Sequence, residues 1–411
     1  MLTQEIFNTN IIPHEKLYPK SINQFLALFK DSPNEKIEEG LFLDFEIETG
    51  IENHKLNPIL KLAKPEDAKQ LVEISKEVYN GTYPYKEMED ENAVRGMILS
   101  PNYHFILFKD MYDNTLGCFK CILDFENKKG YMGGFMVKKK YQGVLDVVKA
   151  IMGSYIWMWG KYGDRIMVWY CENRTAHCTS QYMTAVCGIK SIAIFPNKDI
   201  FFDKIETDIM GIIYVEKALK ELRSNSKPKI IQEALSCFLY SNERYQLGDV
   251  QICFPKINLN KNQINQFRNS LVIKISKKKF GYEKISYKFE GSDSYFKFIY
   301  TISNQNFEKT TYKIKNLEEL FVFLQEFKST IELMNIRYSE VFVSAYKPTH
   351  QQLFHDIGFT PRGYIPSWEY NKKTDEFEDY IVFNYYIGEI CSINLLPEDL
   401  DLLNMLRIKK N

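Results

Sequence analysis

The sequence lacks a net charge. Its 53 Lys and Arg residues are balanced by 53 Asp and Glu residues over 411 positions. Proteins that bind nucleic acid or an anionic membrane surface usually present a basic excess to those partners. The balanced charge therefore argues against both nucleic acid and membrane as partners.

The sequence also lacks a long uninterrupted apolar run. Its opening stretch, "MLTQEIFNTNIIPHEK", contains no apolar segment of the kind that a signal peptide needs. The most apolar long segment, 144–159, is interrupted by Asp146 and Lys149. That segment is too short and too charged to cross a bilayer. We therefore expect a cytoplasmic protein.

Cysteine is present, but it lacks the spacing of a metal site or a disulfide framework. Eight cysteines are scattered along the chain. Cys118 and Cys121 have the spacing of half a zinc site, but the sequence contains no second half. The pair also lies in a strand-like run, where side chains three residues apart point to opposite faces. We expect no metal site, and we interpret the cysteines as reduced, mostly buried thiols.

What the sequence does contain is a regular alternation of strand-like and helix-like segments. From about residue 56 the order is β-α-β-β-β-α-β-α-β, which indicates an α/β (α+β) fold around a mixed, mostly antiparallel sheet flanked by helices. A similar order of elements returns in the second half of the chain. The predicted parts are an N-terminal extension (1–55), a first domain (56–205), a connecting region (206–260), a degenerate second domain (261–390) and a C-terminal tail (391–411).

The stretch "VKKKYQGVLDVV", residues 137–148, follows the fourth strand of the first domain. The Gly133-Gly134 pair predicts a bulge in that strand, and a long helix is predicted from about Gly143 to Tyr162. A helix N-terminus attracts phosphate groups because its first backbone N–H groups have no partner within the helix. The turn is therefore a candidate phosphate site, although it has one glycine where such turns usually have two or three.

This order of elements resembles that of the GNAT acetyltransferase superfamily. In that family, acyl-CoA enters between splayed fourth and fifth strands, and its pyrophosphate binds to a turn of the pattern Arg or Gln, two residues, Gly, one residue, Gly or Ala. Here Gln142 fits the first position of the pattern. Leu145 and Val147 stand at the two positions where the pattern has a small residue. The lysines at 138–140 can offset some of the resulting loss of phosphate binding. The resemblance implies acetyl-CoA or another acyl-CoA as the donor. The residues implied to bind it are Phe135, Met136, Val137, Gln142, Gly143, Val144, Leu145 and Asn173.

Two further segments resemble two-domain members of the same superfamily. They are "YNGTYPY", Tyr79 to Tyr85, and "HCTSQ", which begins at His177. The resemblance implies that Tyr79 and Tyr85 bind the acceptor substrate and that Tyr83 and His177 are catalytic. Histidine suits proton transfer near neutral pH. A packing role for His177, and an aromatic turn fixed by Pro84, remain open alternatives.

Two positions depart from the family's chemistry. Many members carry a tyrosine that protonates the departing thiolate, and that position falls here on Thr184. Tyr182 should face elsewhere, because it lies two residues away on a helix. In the second half the same position falls on Phe354, and no Gln/Arg–Gly turn is present. We therefore expect the second domain to lack its own CoA site and to shape the acceptor pocket or mediate pairing of chains.

The leading functional hypothesis is an acyl-CoA-dependent N-acyltransferase that uses direct attack in a ternary complex. The acceptor would be a small-molecule or protein amine, and a homodimer is possible. One alternative is an inactive binding or regulatory module with the same fold. Another is a tandem transferase with a long acyl or aminoacyl donor, although the balanced charge argues against tRNA.

Overall fold

The structure, a computed structural model, describes residues 10–29, 37–48, 55–391 and 393–406. The predicted N-terminal extension and C-terminal tail lie partly outside these residues. The chain forms two compact units. Unit 1 contains the chain up to Glu172 with Thr179–Lys190 and Gly211–Ala218, and unit 2 contains Asn173–Cys178, Ser191–Met210 and the chain from Leu219 onward. The domain boundaries given above remain predictions.

The first half of the chain alternates strands with helices. Its strands are β1 (Asn10–Ile12), β2 (Leu41–Phe42), β3 (Phe45–Ile47), β4 (Ile59–Leu62), β5 (Tyr103–Lys109), β6 (Thr115–Asp124), β7 (Lys129–Val137), β8 (Val168–Arg174), β9 (Lys190–Phe201) and β10 (Lys204–Tyr214). Its helices are α1 (Ile22–Leu26), α2 (Ala68–Tyr79), α3 (Glu91–Leu99), α4 (Val147–Tyr162), α5 (Thr179–Ala185) and α6 (Glu216–Lys220).

Unit 1 is built on one sheet with helix α4 buried against it. Neighbouring strands in this unit follow the order β2, β4, β5, β6, β7, β8 and the end of β10. The pairs from β4 to β7 are antiparallel, and β7 pairs with β8 in parallel. Trp157 and Trp159 of α4 are buried in the same core as Trp169 of β8. Burial of these large apolar side chains contributes to the free energy of folding of this unit.

Two helices of unit 1 differ from the sequence prediction. Helix α4 begins at Val147, four residues after the predicted start, because the Asp146 carboxylate accepts the Lys149 N–H and so caps the helix. Helix α3 was not predicted, and it begins after Asp90, whose side chain accepts the Ala93 N–H at 2.7 Å. In both places an aspartate marks the first turn.

The second half of the chain also alternates strands with helices. Its strands are β11 (Lys229–Ile231), β12 (Gln251–Cys253), β13 (Leu271–Lys277), β14 (Tyr282–Phe289), β15 (Tyr295–Thr301), β16 (Asn306–Lys313), β17 (Tyr338–Ser344), β18 (Thr360–Asn371) and β19 (Glu376–Tyr386). Its helices are α7 (Leu235–Tyr245), α8 (Lys261–Ser270), α9 (Leu317–Leu333), α10 (Pro348–Asp356) and α11 (Pro397–Met405).

The sheet of unit 2 follows the order β13, β14, β15, β16, β17, β19, β18, β9 and the first part of β10. Strands β16 and β17 are parallel, whereas β13 to β16 and β17 to β19 pair in antiparallel fashion. The last strand, β19, therefore lies between the two strands that precede it. In the first half β10 likewise lies next to both strands that precede it, with β8 as its neighbour in unit 1 and β9 as its neighbour in unit 2. The predicted fold class, with mixed and mostly antiparallel sheets flanked by helices, is confirmed.

The predicted state of the cysteines is also confirmed, since all eight lie within the described residues and are free thiols. Five of them are buried, including the Cys118 and Cys121 pair. Burial raises the pKa of the Cys118 thiol to about 12, so this side chain is an uncharged packing group. No helix of the described residues is long and apolar enough to span a membrane.

Strands β18 and β9 of unit 2 meet at one residue pair, Gly363 with Ala193. A Cβ added to Gly363 would lie 2.3 Å from the Ala193 Cβ and 2.8 Å from the Ile192 carbonyl oxygen. The contact therefore requires glycine at this position, because a backbone oxygen cannot shift without a substantial cost in free energy.

We predict that Gly363→Ala lowers the free energy of unfolding by about 1–3 kcal/mol, the usual cost of overpacking. The matched control is Gly96→Ala in α3, where the new Cβ meets nothing within 4 Å outside the helix itself. That control should be neutral or stabilising, by up to about 1 kcal/mol. Denaturant unfolding checks both, and equal stability of Gly363→Ala and the parent chain would contradict the close approach.

Candidate functional site

Strands β7 and β8 of unit 1 pair for only part of their length. The register runs from Lys129 opposite Val168 to Met132 opposite Cys171, which is four residue pairs. Beyond Met132, β7 continues for five residues to Val137, and the described residues show no further pairing between the two strands. The pairing between the two strands therefore stops at Met132 and Cys171. We call the space beside residues 133–137 of β7 the slot.

A bulge shapes the β7 side of this slot. Cys118 of β6 pairs with Met136, whereas Lys120 pairs with Gly133, so β7 has one extra residue between these pairs. Gly134 lies within that stretch with φ at 62°, a conformation that glycine adopts without strain. The bulge predicted from the glycine pair is confirmed. Such a bulge re-aims the strand and its side chains at the point where pairing ends.

At the paired end of the slot, a glycine of β7 lies beneath an indole ring of β8. Gly130 is paired with Trp169, and a Cβ on Gly130 would lie 2.3 Å from the indole. Trp169 and Cys171 are both buried against α4. Packed apolar side chains therefore lie at the paired end of the slot.

Three tyrosines form a row on the sheet face opposite to α4. Tyr103 pairs with Ile122, Ile122 with Tyr131, and Tyr131 with Tyr170, so all three side chains share one face. The rings of Tyr131 and Tyr170 are 5.2 Å apart. Burial, with a smaller contribution from the Glu87 carboxylate, raises the pKa of Tyr103. Its phenol therefore stays protonated near neutral pH and can donate a hydrogen bond. No local sequence pattern marks this row, because the row depends on the register of four strands.

The turn between β7 and α4 presents Gln142, Gly143 and Val144 to solvent. Gly143 has φ at 77°, and a Cβ there would meet nothing within 4 Å. The Gln142 side-chain amide donates to the Val137 carbonyl at 3.1 Å and so ties the turn to the end of β7. Leu145 is buried, and its N–H donates to the Tyr141 carbonyl at 3.0 Å. The exposed part of the turn is therefore Gln142 to Val144.

Tyr79, Tyr83 and Tyr85 lie together in unit 1. The rings of Tyr79 and Tyr83 are 4.5 Å apart, and those of Tyr83 and Tyr85 are 5.7 Å apart. Tyr83 is 7% exposed and is the most buried of the three. Helix α2, which ends at Tyr79, is tied to the turn because its Glu77 carboxylate accepts the Lys139 N–H at 2.7 Å. The cluster and the turn thus share one helix.

Asn173 and His177 belong to the segment Asn173–Cys178, which is part of unit 2. Asn173 is buried, whereas His177 is exposed. Within unit 2, Thr175 donates its N–H and its hydroxyl to the Thr207 carbonyl, and the Asn394 side chain donates to the Ala176 carbonyl at 2.8 Å. Hydrogen bonds within unit 2 therefore hold this segment, and the roles of Asn173 and His177 remain predictions.

Helix α5, which follows β8, contains Thr184, at the position of the family's thiolate-protonating tyrosine, and Tyr182. Thr184 is buried, and its hydroxyl donates to the carbonyls of Ser180 and Gln181 at 3.0 and 2.9 Å. Tyr182 is 40% exposed. The expectation that Tyr182 faces away from the Thr184 side is confirmed, and the Thr184 hydroxyl serves the helix backbone.

The corresponding strands of unit 2, β16 and β17, end differently. Their last pair is Thr310 with Val341. Beyond it, the Tyr312 hydroxyl lies 3.0 Å from His350 Nδ1, and the Tyr312 ring packs on the buried Phe354. Burial, with a smaller contribution from Lys347, lowers the pKa of His350 to about 4, so its imidazole is neutral at physiological pH. Aromatic side chains of β16 and α10 therefore pack together beyond the last pair of these strands.

Known proteins offer slight likenesses to this chain. No model of a protein family matches it, and no curated protein matches it. Two solved structures from Vibrio cholerae are similar to part of it. A point mutant of spermidine N-acetyltransferase SpeG is 11% identical, covers 38% of this chain and 95% of its own, and has a TM-score of 0.34. A dodecameric structure of the same enzyme in an intermediate state is 12% identical, covers 39% of this chain and 96% of its own, and has a TM-score of 0.34. Likenesses of this size assign no function.

Proposed function

We propose that this protein is a member of the GNAT superfamily whose unit 1 binds an acyl-CoA and transfers the acyl group to an amine. The observation that carries the proposal is the early end of the β7–β8 pairing, which leaves a slot beside the exposed turn at Gly143. The bulge at Gly134 supports the proposal, because a bulge changes the direction of the β7 backbone beside that slot. The pantetheine arm would lie along β7 beyond Met132 and hydrogen-bond to its backbone.

The proposed reaction is a direct attack of the neutral amine on the thioester carbonyl carbon. A C–N bond forms, the C–S bond breaks, and one proton passes in net from the amine to the sulfur. Backbone N–H groups of β7 beyond Met132 would polarise the carbonyl. We assign Tyr83 of unit 1 as the phenol that serves the departing thiolate, and we propose a proton-transfer role for His177. Tyr79 and Tyr85, with the row at Tyr131 and Tyr170, would line the acceptor side.

The proposal places one donor site on each chain. Beyond the last pair of β16 and β17 in unit 2, Tyr312 packs on His350 and Phe354, which supports a second half without its own donor site. The acceptor class would be a small-molecule or protein amine, and the proposed setting is cytoplasmic, with a homodimer as a possible assembly. Neither nucleic acid nor membrane is an expected partner.

A second candidate function is a non-catalytic module that binds an acyl-CoA and regulates another process. Three residues favour it. Leu145 stands where the family pattern has a small residue, Asp146 brings a carboxylate to the turn, and the Thr184 hydroxyl is engaged with its own helix. Turnover of acetyl-CoA with any member of a panel of amines separates the two candidates, because only the enzyme consumes the thioester.

We predict that Gly143→Leu raises the Kd for acetyl-CoA at least about tenfold, which corresponds to about 1.4 kcal/mol. A side chain at this exposed position of the turn would block the approach of a phosphate to the backbone. The matched control is Gly291→Leu in unit 2, where φ is 69° and the surroundings are equally open. Calorimetric titration measures all three proteins. Unchanged binding by Gly143→Leu would contradict the turn as a phosphate site, and no binding by any of the three would contradict the proposed function.

We predict that His177→Ala lowers kcat about 100-fold or more with an active amine, the usual effect of removing a general base. The matched control is Cys178→Ser, which should keep kcat because direct attack needs no cysteine nucleophile. Steady-state thioester consumption and circular dichroism check activity and folding. Equal kcat values for His177→Ala and the parent chain would remove His177 from the mechanism, and loss of activity in Cys178→Ser would favour a covalent acyl-cysteine route instead.

A further inference from the structure

Strand β13 lies at the end of the sheet of unit 2. It pairs with β14 over seven residue pairs, from Leu271 opposite Phe289 to Lys277 opposite Glu283. Among the described residues, β14 is the only strand that pairs with β13. We call the other side of β13, residues 271–277, the open edge.

The hydrogen bonds at the two ends of the β13–β14 pair show which backbone groups point to the open edge. The Ser270 carbonyl accepts the Glu290 N–H at 2.9 Å, and the Lys278 N–H donates to the Tyr282 carbonyl at 2.7 Å. Hydrogen-bonded and non-hydrogen-bonded residue pairs alternate along an antiparallel pair of strands. The even-numbered residues of β13 therefore bond to β14, and the N–H and C=O groups of the odd-numbered residues point to the open edge.

The side chains of β13 are apolar on the core side of the sheet. Ile273 and Ile275 stand opposite Tyr287 and Ile285 of β14, which are buried in the core of unit 2. The two isoleucines point to the same side as these core residues but are 46% and 56% exposed. A strand added at the open edge would cover them, and burial of apolar area is favourable.

The opposite face of the same strands is basic. Lys274 is exposed on this face, and Lys284 and Lys288 of β14 lie diagonally across from it, a separation of about 7–8 Å in an antiparallel sheet. Lys297 of β15 lies on the same face, opposite Ser286. No acidic residue stands on this face of β13, β14 or β15, three strands that the structure describes completely. The face therefore favours acidic side chains.

These features distinguish between possible occupants of the open edge. Lysine on an edge strand disfavours pairing with a second copy, because the copy would bring its own lysines to a face without carboxylates. A nucleic acid or a lipid headgroup would meet the lysines, but neither can pair with the backbone of β13 as a strand does. A polypeptide with alternating apolar and acidic residues meets all three features, since successive side chains of a strand point to opposite faces.

We propose that β13 is the docking site for an extended acidic segment of a partner protein, which adds to the open edge as an antiparallel strand. Its apolar side chains lie over Ile273 and Ile275, and its acidic side chains lie beside Lys274. The inference goes beyond the proposed function and does not rest on it, because all of its residues belong to unit 2.

Fluorescence anisotropy of a labelled peptide with the full-length protein tests the inference. The probe is a nine-residue peptide that alternates glutamate with valine. We expect saturable binding, and we expect a peptide that alternates glutamate with serine to bind at least about tenfold more weakly, because it lacks the apolar side chains. Absence of binding by the probe would overturn the inference. Equal binding of the two peptides would also overturn it, since the lysines would then attract any polyanion.

Methylation of the peptide backbone tests the strand pairing itself. The valines of an antiparallel partner strand would exchange N–H···O bonds with Ile273 and Ile275, whereas the N–H groups of its glutamates would point away from β13. We expect N-methylation of two central valines to abolish binding and N-methylation of two central glutamates to preserve it. Equal effects of the two modifications, or the reverse order, would contradict the proposed pairing.

A charge reversal in the protein tests the basic face. We expect Lys274→Glu to raise the Kd of the probe at least about fivefold, because an attraction worth about two- to fivefold in an equilibrium becomes a repulsion. The matched control is Lys373→Glu in the exposed turn between β18 and β19, which changes the net charge equally and should leave the Kd unchanged. Equal effects of both substitutions would assign the binding to general charge and overturn the inference.

Sedimentation velocity tests the second copy as the alternative occupant. We expect the probe to leave the sedimentation coefficient of the parent chain unchanged apart from the small added mass. If the parent chain self-associates and the probe dissociates the assembly, β13 pairs with a second copy and the inference is wrong.

Discussion

The central constraint in this structure is the parallel pairing of β7 with β8, which stops after Met132 and Cys171. Backbone N–H and C=O groups inside a protein need partners, since an unpaired buried group costs free energy comparable to a lost hydrogen bond. The backbone groups of β7 beyond Met132 that do not face β6 therefore need partners other than a ladder with β8. The bulge at Gly134 lies within this stretch, and Gly130 beneath Trp169 lies within the paired part. The exposed turn that leads to α4 follows the same stretch.

The two strand pairs end in different surroundings. In unit 2 the last pair of β16 and β17 is Thr310 with Val341, and Tyr312 beyond it packs on His350 and Phe354 of α10. In unit 1 residues 133–137 follow the last pair of β7 and β8, and they contain the bulge at Gly134. Aromatic side chains thus lie beyond one strand pair, whereas a bulge and an exposed turn follow the other.

Local sequence signals predicted the elements that depend on neighbouring residues. The Gly133-Gly134 pair predicted the bulge because glycine alone adopts the required φ without strain. The order of elements predicted the fold class. Helix α3 was missed because Gly96 weakens its helical pattern, and the start of α4 was misplaced because Asp146 was read as an interruption of an apolar run and not as a cap.

Features that join distant residues could not be predicted in this way. The row of Tyr103, Tyr131 and Tyr170 depends on the register of four strands. The contact between Glu46 and Lys149 joins residues 103 positions apart, and no periodic pattern marks it. The role of His177 also depends on contacts between distant residues, and it stays a prediction.

Hydrogen–deuterium exchange of the full-length protein with and without acetyl-CoA tests the central claim most directly. The account predicts that the donor protects the backbone amides of β7 from Gly133 to Val137, because the pantetheine arm would supply the partners that β8 does not. The amides of β16 in unit 2 should show no such protection. Protection confined to unit 2, or none on β7 at a saturating donor concentration, would contradict the account.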